Sequence, residues 1–177
     1  MKQSYRINDV LTLRVPATSD AHQLYSLIAH DQKELQRWLP WAKTTLSPAD
    51  EEAFILYSLG QIQEGKLWSA TLCVADTPAG TIDIHEISMQ NARGQVGYWL
   101  GQKYQGKGFM TQTLTKVIEV AFSELELHRL ELITDSRNKK SQKVATRAGF
   151  KRECCLHDYL REEADFHDAF LYVLFSK

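Results

Sequence analysis

The chain has 177 residues, 44% of them apolar, and a formal net charge of −1, enough for one core but with no overall charge to hold nucleic acid or a membrane surface. No stretch reaches the ~18 uncharged apolar residues of a spanning helix, and MKQSYRINDV carries no secretory apolar run. Cys73, Cys154 and Cys155 lack C-x-x-C spacing, and neighbouring cysteines rarely bridge, so a reducing cytoplasm and no metal are expected.

Leu11 to Val15 alternates as a strand that Pro16 ends. Ser19 or Asp20 is placed to cap a helix with Ala21, Leu24, Leu27 and Ile28 on its apolar face. Trp38-Leu-Pro-Trp41 interrupts the helical pattern, because Pro40 lacks a donor and restricts its neighbour. Ser47-Pro-Ala-Asp-Glu51 reads as a second helix start, with Phe54, Ile55, Leu59 and Ile62 following at helical spacing until Gly65. Trp68 to Ala75, Gly80 to Ile87 and Gln95 to Leu100 are predicted strands, with Asp76 to Gly80 the turn between the first two. A well-patterned helix is expected from about Gly108 to Glu124, then a strand from Leu130 to Thr134. A short helix from Asn138 to Ala148 stops at Gly149, before two strands near Arg152 to Tyr159 and Phe166 to Phe175. This order predicts a single α+β domain over residues 1–177. Its mixed, mostly antiparallel central sheet has about six to seven strands with flanking helices and one central crossover.

Chemistry concentrates in Val96-Gly-Tyr-Trp-Leu-Gly-Gln-Lys-Tyr-Gln-Gly-Lys-Gly-Phe-Met-Thr111. A strand feeds a loop with Gly106 and Gly108, which opens the best-patterned helix in the chain. Glycines let a backbone approach a ligand, and the first helical amides are unpaired at the positive end, a combination suited to pyrophosphate. The same two glycines also suit a plain tight turn. Neither G-x-x-x-x-G-K-[ST] nor G-x-G-x-x-G is present.

The run Gln105-Gly106-Lys107-Gly108-Phe109-Met110 resembles the [QR]-x-x-G-x-[GA] acetyl-coenzyme A loop of the GNAT acyltransferase superfamily, with Met110 where Gly or Ala is usual. Gly97-Tyr98-Trp99-Leu100, Asn138-Lys-Lys-Ser141 and Ala148-Gly149-Phe150 extend the likeness to the ribosomal-protein amino-terminal acetyltransferases. Leu11-Thr-Leu-Arg14 and Trp38-Leu-Pro-Trp41 carry it to essentially the whole chain. The resemblance implies a GNAT-like fold, acetyl-CoA as co-substrate, and direct attack by an amine in a ternary complex. It implies that Tyr98, Trp99 and Leu100 offer backbone groups to the pantetheine arm. Gln105, Gly106, Lys107, Gly108, Phe109, Met110 and Thr111 would cradle the phosphates. Asn138 would bond the arm, or serve only as a helix cap. Ser141 would protonate the leaving thiolate, or only bind, since the tyrosine found in many members four residues before the Gly-Phe pair is replaced by Ala145. Arg137, Lys139, Lys140 and Lys143 either meet the adenosine phosphates or form a solvated face.

The subgroup often has Glu just before its Gly-Tyr-Trp run, where this chain has Gln95, leaving His85, Glu86 or no residue as general base. Without a strong base an α-amine, on the order of a tenth to a fifth neutral at pH 7, is easier to acetylate than lysine, neutral about once in a few thousand molecules. A protein amino terminus, as of a ribosomal protein, is therefore the leading acceptor. A small amine such as an aminoglycoside or polyamine, or a silent acetyl-CoA sensor, is the alternative. Homodimerisation is open, and neither nucleic acid nor membrane is expected as a partner. Asp158, Glu162, Glu163 and Asp165, in the segment joining the last two strands, either attract a basic peptide or form a polar loop. Cys154 and Cys155 show no triad partner for a ping-pong route.

Overall fold

A computed structural model describes residues 2–177. The amino-terminal half builds an antiparallel ladder from β1 (Ser4–Arg6), β2 (Leu11–Arg14), β3 (Trp68–Val74), β4 (Thr77–Ser88) and β5 (Arg93–Leu100). Between β2 and β3 the chain forms α1 (Ala21–Leu35), a short 3-10 turn at Pro40–Lys43, and α2 (Pro48–Gln63). The crossover helix α3 (Phe109–Ser123) then returns the chain to β6 (Arg129–Asp135), parallel to β5. After α4 (Lys139–Arg147), the hairpin of β7 (Lys151–Glu162) and β8 (Asp165–Phe175) inserts β8 beside β6, giving the order β1-β2-β3-β4-β5-β6-β8-β7.

Eight strands form where about six to seven were expected. The extra one is β1, of whose three residues only Tyr5 is buried, too short an alternation to read in advance. The β3–β4 turn also falls earlier than expected. Ala75 and Asp76 take φ of 47° and 62°, so Val74 pairs directly with Thr77. Two left-handed central residues match the right-handed twist of hairpin strands, and Pro78 lies within β4 opposite the Leu72/Cys73 bulge.

Strand alternation divides the core. Trp99 packs with Leu24, Ile28, Leu35 and Ile55 of α1 and α2, whereas Val96 and Leu100 join Leu114, Val117 and Ala145 of α3 and α4. Ser47 Oγ caps α2 by accepting the Asp50 amide at 3.2 Å. Phe54, placed on the apolar stripe by its spacing, faces outward at 55% exposure, and Glu51, Ile55 and Ser58 form the buried stripe. Asp20 precedes α1 but does not cap it. Its buried carboxylate instead binds Arg14 and accepts from Thr71 at 3.3 Å, tying β2, β3 and the start of α1 together.

Candidate active site

Strands β5 and β6 pair only through Arg93–Arg129, Gly94–Leu130 and Gln95–Glu131, then diverge. Residues 96–100 and 132–135 therefore face each other across a cleft of about 670 Å³, closed by Trp38 and Leu39 on one side and α4 on the other. Unpaired strand edges present a row of amides and carbonyls to an extended ligand. The Gly101 amide donates to the Ala79 carbonyl at 2.9 Å. By the two-residue repeat of antiparallel pairing, Trp99 also turns its main chain to β4, while Tyr98 and Leu100 turn theirs to the cleft. The Leu100 carbonyl accepts from Gln105 Nε2 at 2.8 Å. Of the three expected backbone partners, Tyr98 is thus the open one, Leu100 is half engaged, and Trp99 contributes its indole, 6.0 Å edge-on to Trp41.

The cleft ends at the start of α3. Gly106 and Gly108 both have φ of 77°, a left-handed conformation that glycine alone adopts without strain. A Cβ on Gly108 would meet only Gln112 Nε2 at 3.7 Å, so the requirement comes from backbone shape and from what enters the cleft. Met110 sends its side chain into the core at 7% exposure, leaving the helix amides clear where Gly or Ala is usual. Gln105, Phe109 and Thr111 line the cleft, while Lys107 lies just outside its lining, between Gly106 and Gly108. Asp31 anchors this segment from the distant α1. Buried at 5%, it accepts the Gln102 amide at 2.6 Å and holds the turn leading into the glycine loop.

The α4 side carries Asn138 and Ser141. Asn138 Oδ1 caps the helix by accepting the Ser141 amide at 3.1 Å, and Asn138 itself lines the cleft. The cap is formed, and the cleft-lining position leaves a contact with the pantetheine arm compatible with it. Ser141 Oγ lies 2.9 Å from Tyr98 Oη. Burial pushes the Tyr98 phenol up to about 12, against the opposing Ser141 bond, so at neutral pH Tyr98 is protonated and either hydroxyl of the pair can donate to the other. Sequence reading sought a tyrosine at position 145 and found Ala145, and the phenol arrives instead from β5, 43 residues away in sequence. Strand alternation was the available signal, because Trp99 facing α1 requires Tyr98 to face α4.

The basic cluster separates into two groups. Lys140 and Lys143 line the cleft together with Arg147, which the sequence did not single out. Arg137 is instead gripped by Asp135, with bonds of 2.9 and 2.6 Å, and by Glu162 at 3.1 Å, while Lys139 bonds the Ser136 carbonyl. Burial opposes ionisation of Asp135, yet the Arg137 hydrogen bonds hold it below the usual carboxylate range. Unpaired strand edge, helix amides and cationic rim together fit an acetyl-CoA molecule, whose pantetheine amides, pyrophosphate and adenosine phosphate they match in kind.

On the opposite sheet face His85 Nδ1 bonds Asp83 at 2.6 Å, and Gln95 Nε2 stands 3.0 Å from His85 Nε2. The Asp83 hydrogen bond raises the His85 pKa above its ordinary value, with burial opposing it. A Cβ on Gly97, a cleft-lining residue, would stand 3.2 Å from the Asp83 carboxylate oxygens and His85 Cε1, so only a glycine separates the cleft from this pair. Glu86 is exposed at a bulge with φ of 49° and lines a second, smaller cleft with His85. The acidic segment from His157 to Asp168 is strand rather than loop through Glu162 and again from Asp165.

Comparison with known proteins agrees with this geometry. The acetyltransferase (GNAT) domain model matches residues 10–151. YdaF of Bacillus subtilis (strain 168), which carries the name of a ribosomal N-acetyltransferase, is 31% identical over 97% of this chain and 94% of its own. The ribosomal-protein-serine acetyltransferase of Escherichia coli (strain K12) is 28% identical over 88% of this chain and 87% of its own. The structure of the microcin C7 self-immunity acetyltransferase MccE, in complex with acetyl-CoA and AMP, superposes with a TM-score of 0.94 at 26% identity, covering 99% and 98% of the two chains. With its split β5–β6 edge leading into the α3 amides and a family match over most of its length, the chain is an acetyltransferase of the GNAT domain family.

Proposed function

We propose that the protein transfers acetyl from acetyl-CoA to the α-amino group of a protein, a ribosomal protein being the leading candidate, by direct attack in a ternary complex in the cytoplasm. The Tyr98–Ser141 pair at the end of an unpaired strand edge carries this reading, because it supplies a hydroxyl donor where the thioester sulfur would depart. The neutral amine attacks the thioester carbon, the carbon–sulfur bond breaks, and the proton lost by nitrogen balances the one gained by the thiolate. A hydroxyl is a weaker acid than a thiol, so Ser141 stabilises the departing sulfur by hydrogen bonding and relays a proton without keeping a charge. His85, oriented by Asp83 and bordering the cleft across Gly97, takes the proton that an ammonium acceptor must first lose. The names of the two relatives support the ribosomal acceptor.

A small amine is the second reading. It is favoured by the likeness to a spermidine N(1)-acetyltransferase of Escherichia coli (strain K12), 31% identical over 42% of this chain and 40% of its own. Two peptides decide the matter, one with a free amino terminus and blocked lysine, the other reversed, run beside spermidine and read by product mass. Faster acetylation of the free amino terminus at pH 7 is the expected result, and faster modification of lysine or spermidine overturns the α-amine assignment.

A further inference from the structure

The β7–β8 hairpin carries a group of side chains that acetyl transfer does not use. Leu156 pairs with Ala169 and Leu160 with His167, so His157, Asp158 and Tyr159 stand opposite Asp168 alone. Such a bulge re-aims side chains, and Asp158 takes φ of 50° to make the bend. Asp168 fills its concave side. The Asp158 amide holds Asp168 Oδ1 at 3.1 Å, leaving Oδ2 3.2 Å from His157 Nδ1 and 3.6 Å from Cys155 Sγ. Cys155 Sγ is 3.9 Å from the same nitrogen.

This triangle does not suit nucleophilic catalysis. A Cys-His-Asp relay uses both ring nitrogens, one toward sulfur and one toward carboxylate. Here sulfur and carboxylate converge on Nδ1 alone. Burial and the Asp168 carboxylate also hold the Cys155 thiol above its ordinary range, opposite to an activated thiolate. A divalent metal reverses that disadvantage by binding the thiolate directly. Tetrahedral coordination, with sulfur at about 2.3 Å and nitrogen and oxygen at about 2.0–2.2 Å, spaces the ligand atoms about 3.3–3.6 Å apart. The observed edges of 3.9, 3.6 and 3.2 Å bracket that spacing.

We propose that Cys155, His157 and Asp168 form a site for a thiophilic divalent ion of the zinc type, with water in the fourth position toward solvent. The Asp158 amide bond to Asp168 orients one ligand from behind, as outer-shell partners do in established sites. Binding releases the Cys155 thiol proton, and any proton on His157, to solvent. Closing the triangle clamps the bulge of the hairpin that carries Leu160 to the wall of the acetyl-CoA cleft. One of the three ligands comes from the neighbouring strand, so C-x-x-C spacing in the sequence does not bear on this set.

Cobalt(II) chloride titrated into the full-length, reduced protein is the test. One equivalent should produce a thiolate-to-cobalt charge-transfer band and the intense visible bands of four-coordinate cobalt, and zinc chloride should bleach both. Cys155→Ser should lose the charge-transfer band, while Cys154→Ser, which alters the neighbouring exposed thiol, should keep it. Zinc should raise the melting temperature of the parent and not that of His157→Ala, whose folding is checked by circular dichroism and by its acetyl-CoA-induced thermal shift. A charge-transfer band that survives in Cys155→Ser, disappears in Cys154→Ser, or never develops in the parent overturns the site. So does equal zinc stabilisation of parent and His157→Ala.

Discussion

Replacing Tyr98 by phenylalanine removes one oxygen from a half-buried ring and leaves its packing intact, which isolates the 2.9 Å bond to Ser141. Between neutral hydroxyls such a bond contributes about 1 kcal/mol, and more when the acceptor hydroxyl in turn donates to a developing thiolate. Tyr98→Phe should therefore raise the barrier by about 1–2 kcal/mol, roughly 5- to 30-fold in single-turnover rate at saturating acceptor. Ser141→Ala deletes the donor itself and should cost about 2–3 kcal/mol, with acetyl-CoA affinity almost unchanged in both variants. The discriminating measurement is the double-mutant cycle. If Tyr98 acts only through Ser141, the double variant should be no slower than Ser141→Ala, so that the coupling energy equals the Tyr98→Phe effect. Because the Tyr98 phenol is pushed up to about 12, its ionisation should add no alkaline limb to any profile below about pH 11. Additive losses, or a Tyr98→Phe enzyme as fast as the parent, would refute the relay.

Gly108→Val forces a β-branched residue to a φ of 77° at the head of α3, a strain of about 1–2 kcal/mol. Acetyl-CoA affinity by calorimetry should fall at least about tenfold, since 1.4 kcal/mol of lost contact corresponds to a factor of ten. His85→Gln should abolish a rising limb in kcat/KM for the acceptor. That limb lies above the ordinary imidazole pKa because the Asp83 bond raises it, and the variant should follow only the acceptor's own titration; an unchanged profile would remove His85 as base. Glu51 is buried in α2, and desolvation raises its carboxyl to about 7. A carboxyl whose folded pKa exceeds its unfolded one costs stability as pH rises from the unfolded value through the folded one. Glu51→Gln should therefore raise the melting temperature at pH 8 by an amount corresponding to no more than ~3 kcal/mol, and leave it unchanged near pH 4.

The donor half of the cleft was legible in the sequence because it is built from backbone, and backbone geometry is encoded locally. Gly106 and Gly108 mark left-handed turns, Asn138 marks a helix cap, and each needs only its immediate neighbours to form. The same holds for the strand-loop-helix order and for the parallel β5–β6 crossover, since α3 has a strong apolar stripe and connections of this kind leave few topologies. A loop position defined by its amides says nothing about where its side chain points, and Lys107 lies outside the cleft lining while the glycines on either side of it are within it.

Side-chain chemistry was less legible because it is assembled across strands. Tyr98 reaches Ser141 from β5 to α4, and Asp83, His85 and Gln95 meet only when β4 and β5 take register. In the proposed mechanism Gln95 supports a base without being one. An amide cannot accept a proton at neutral pH, but it can orient an imidazole that does. With the hydrogen on Nδ1 toward Asp83, Nε2 accepts from the Gln95 amide, so proton uptake at Nε2 requires the Gln95 side chain to turn and present its oxygen. Glutamate at position 95 would place a second carboxylate against that histidine and raise its pKa further. Gln95→Glu should thus leave less of His85 unprotonated at neutral pH, and the acceptor profile should keep a rising limb but move it to higher pH. A limb moving to lower pH would instead show that position 95 itself accepts the proton, with His85 only its support.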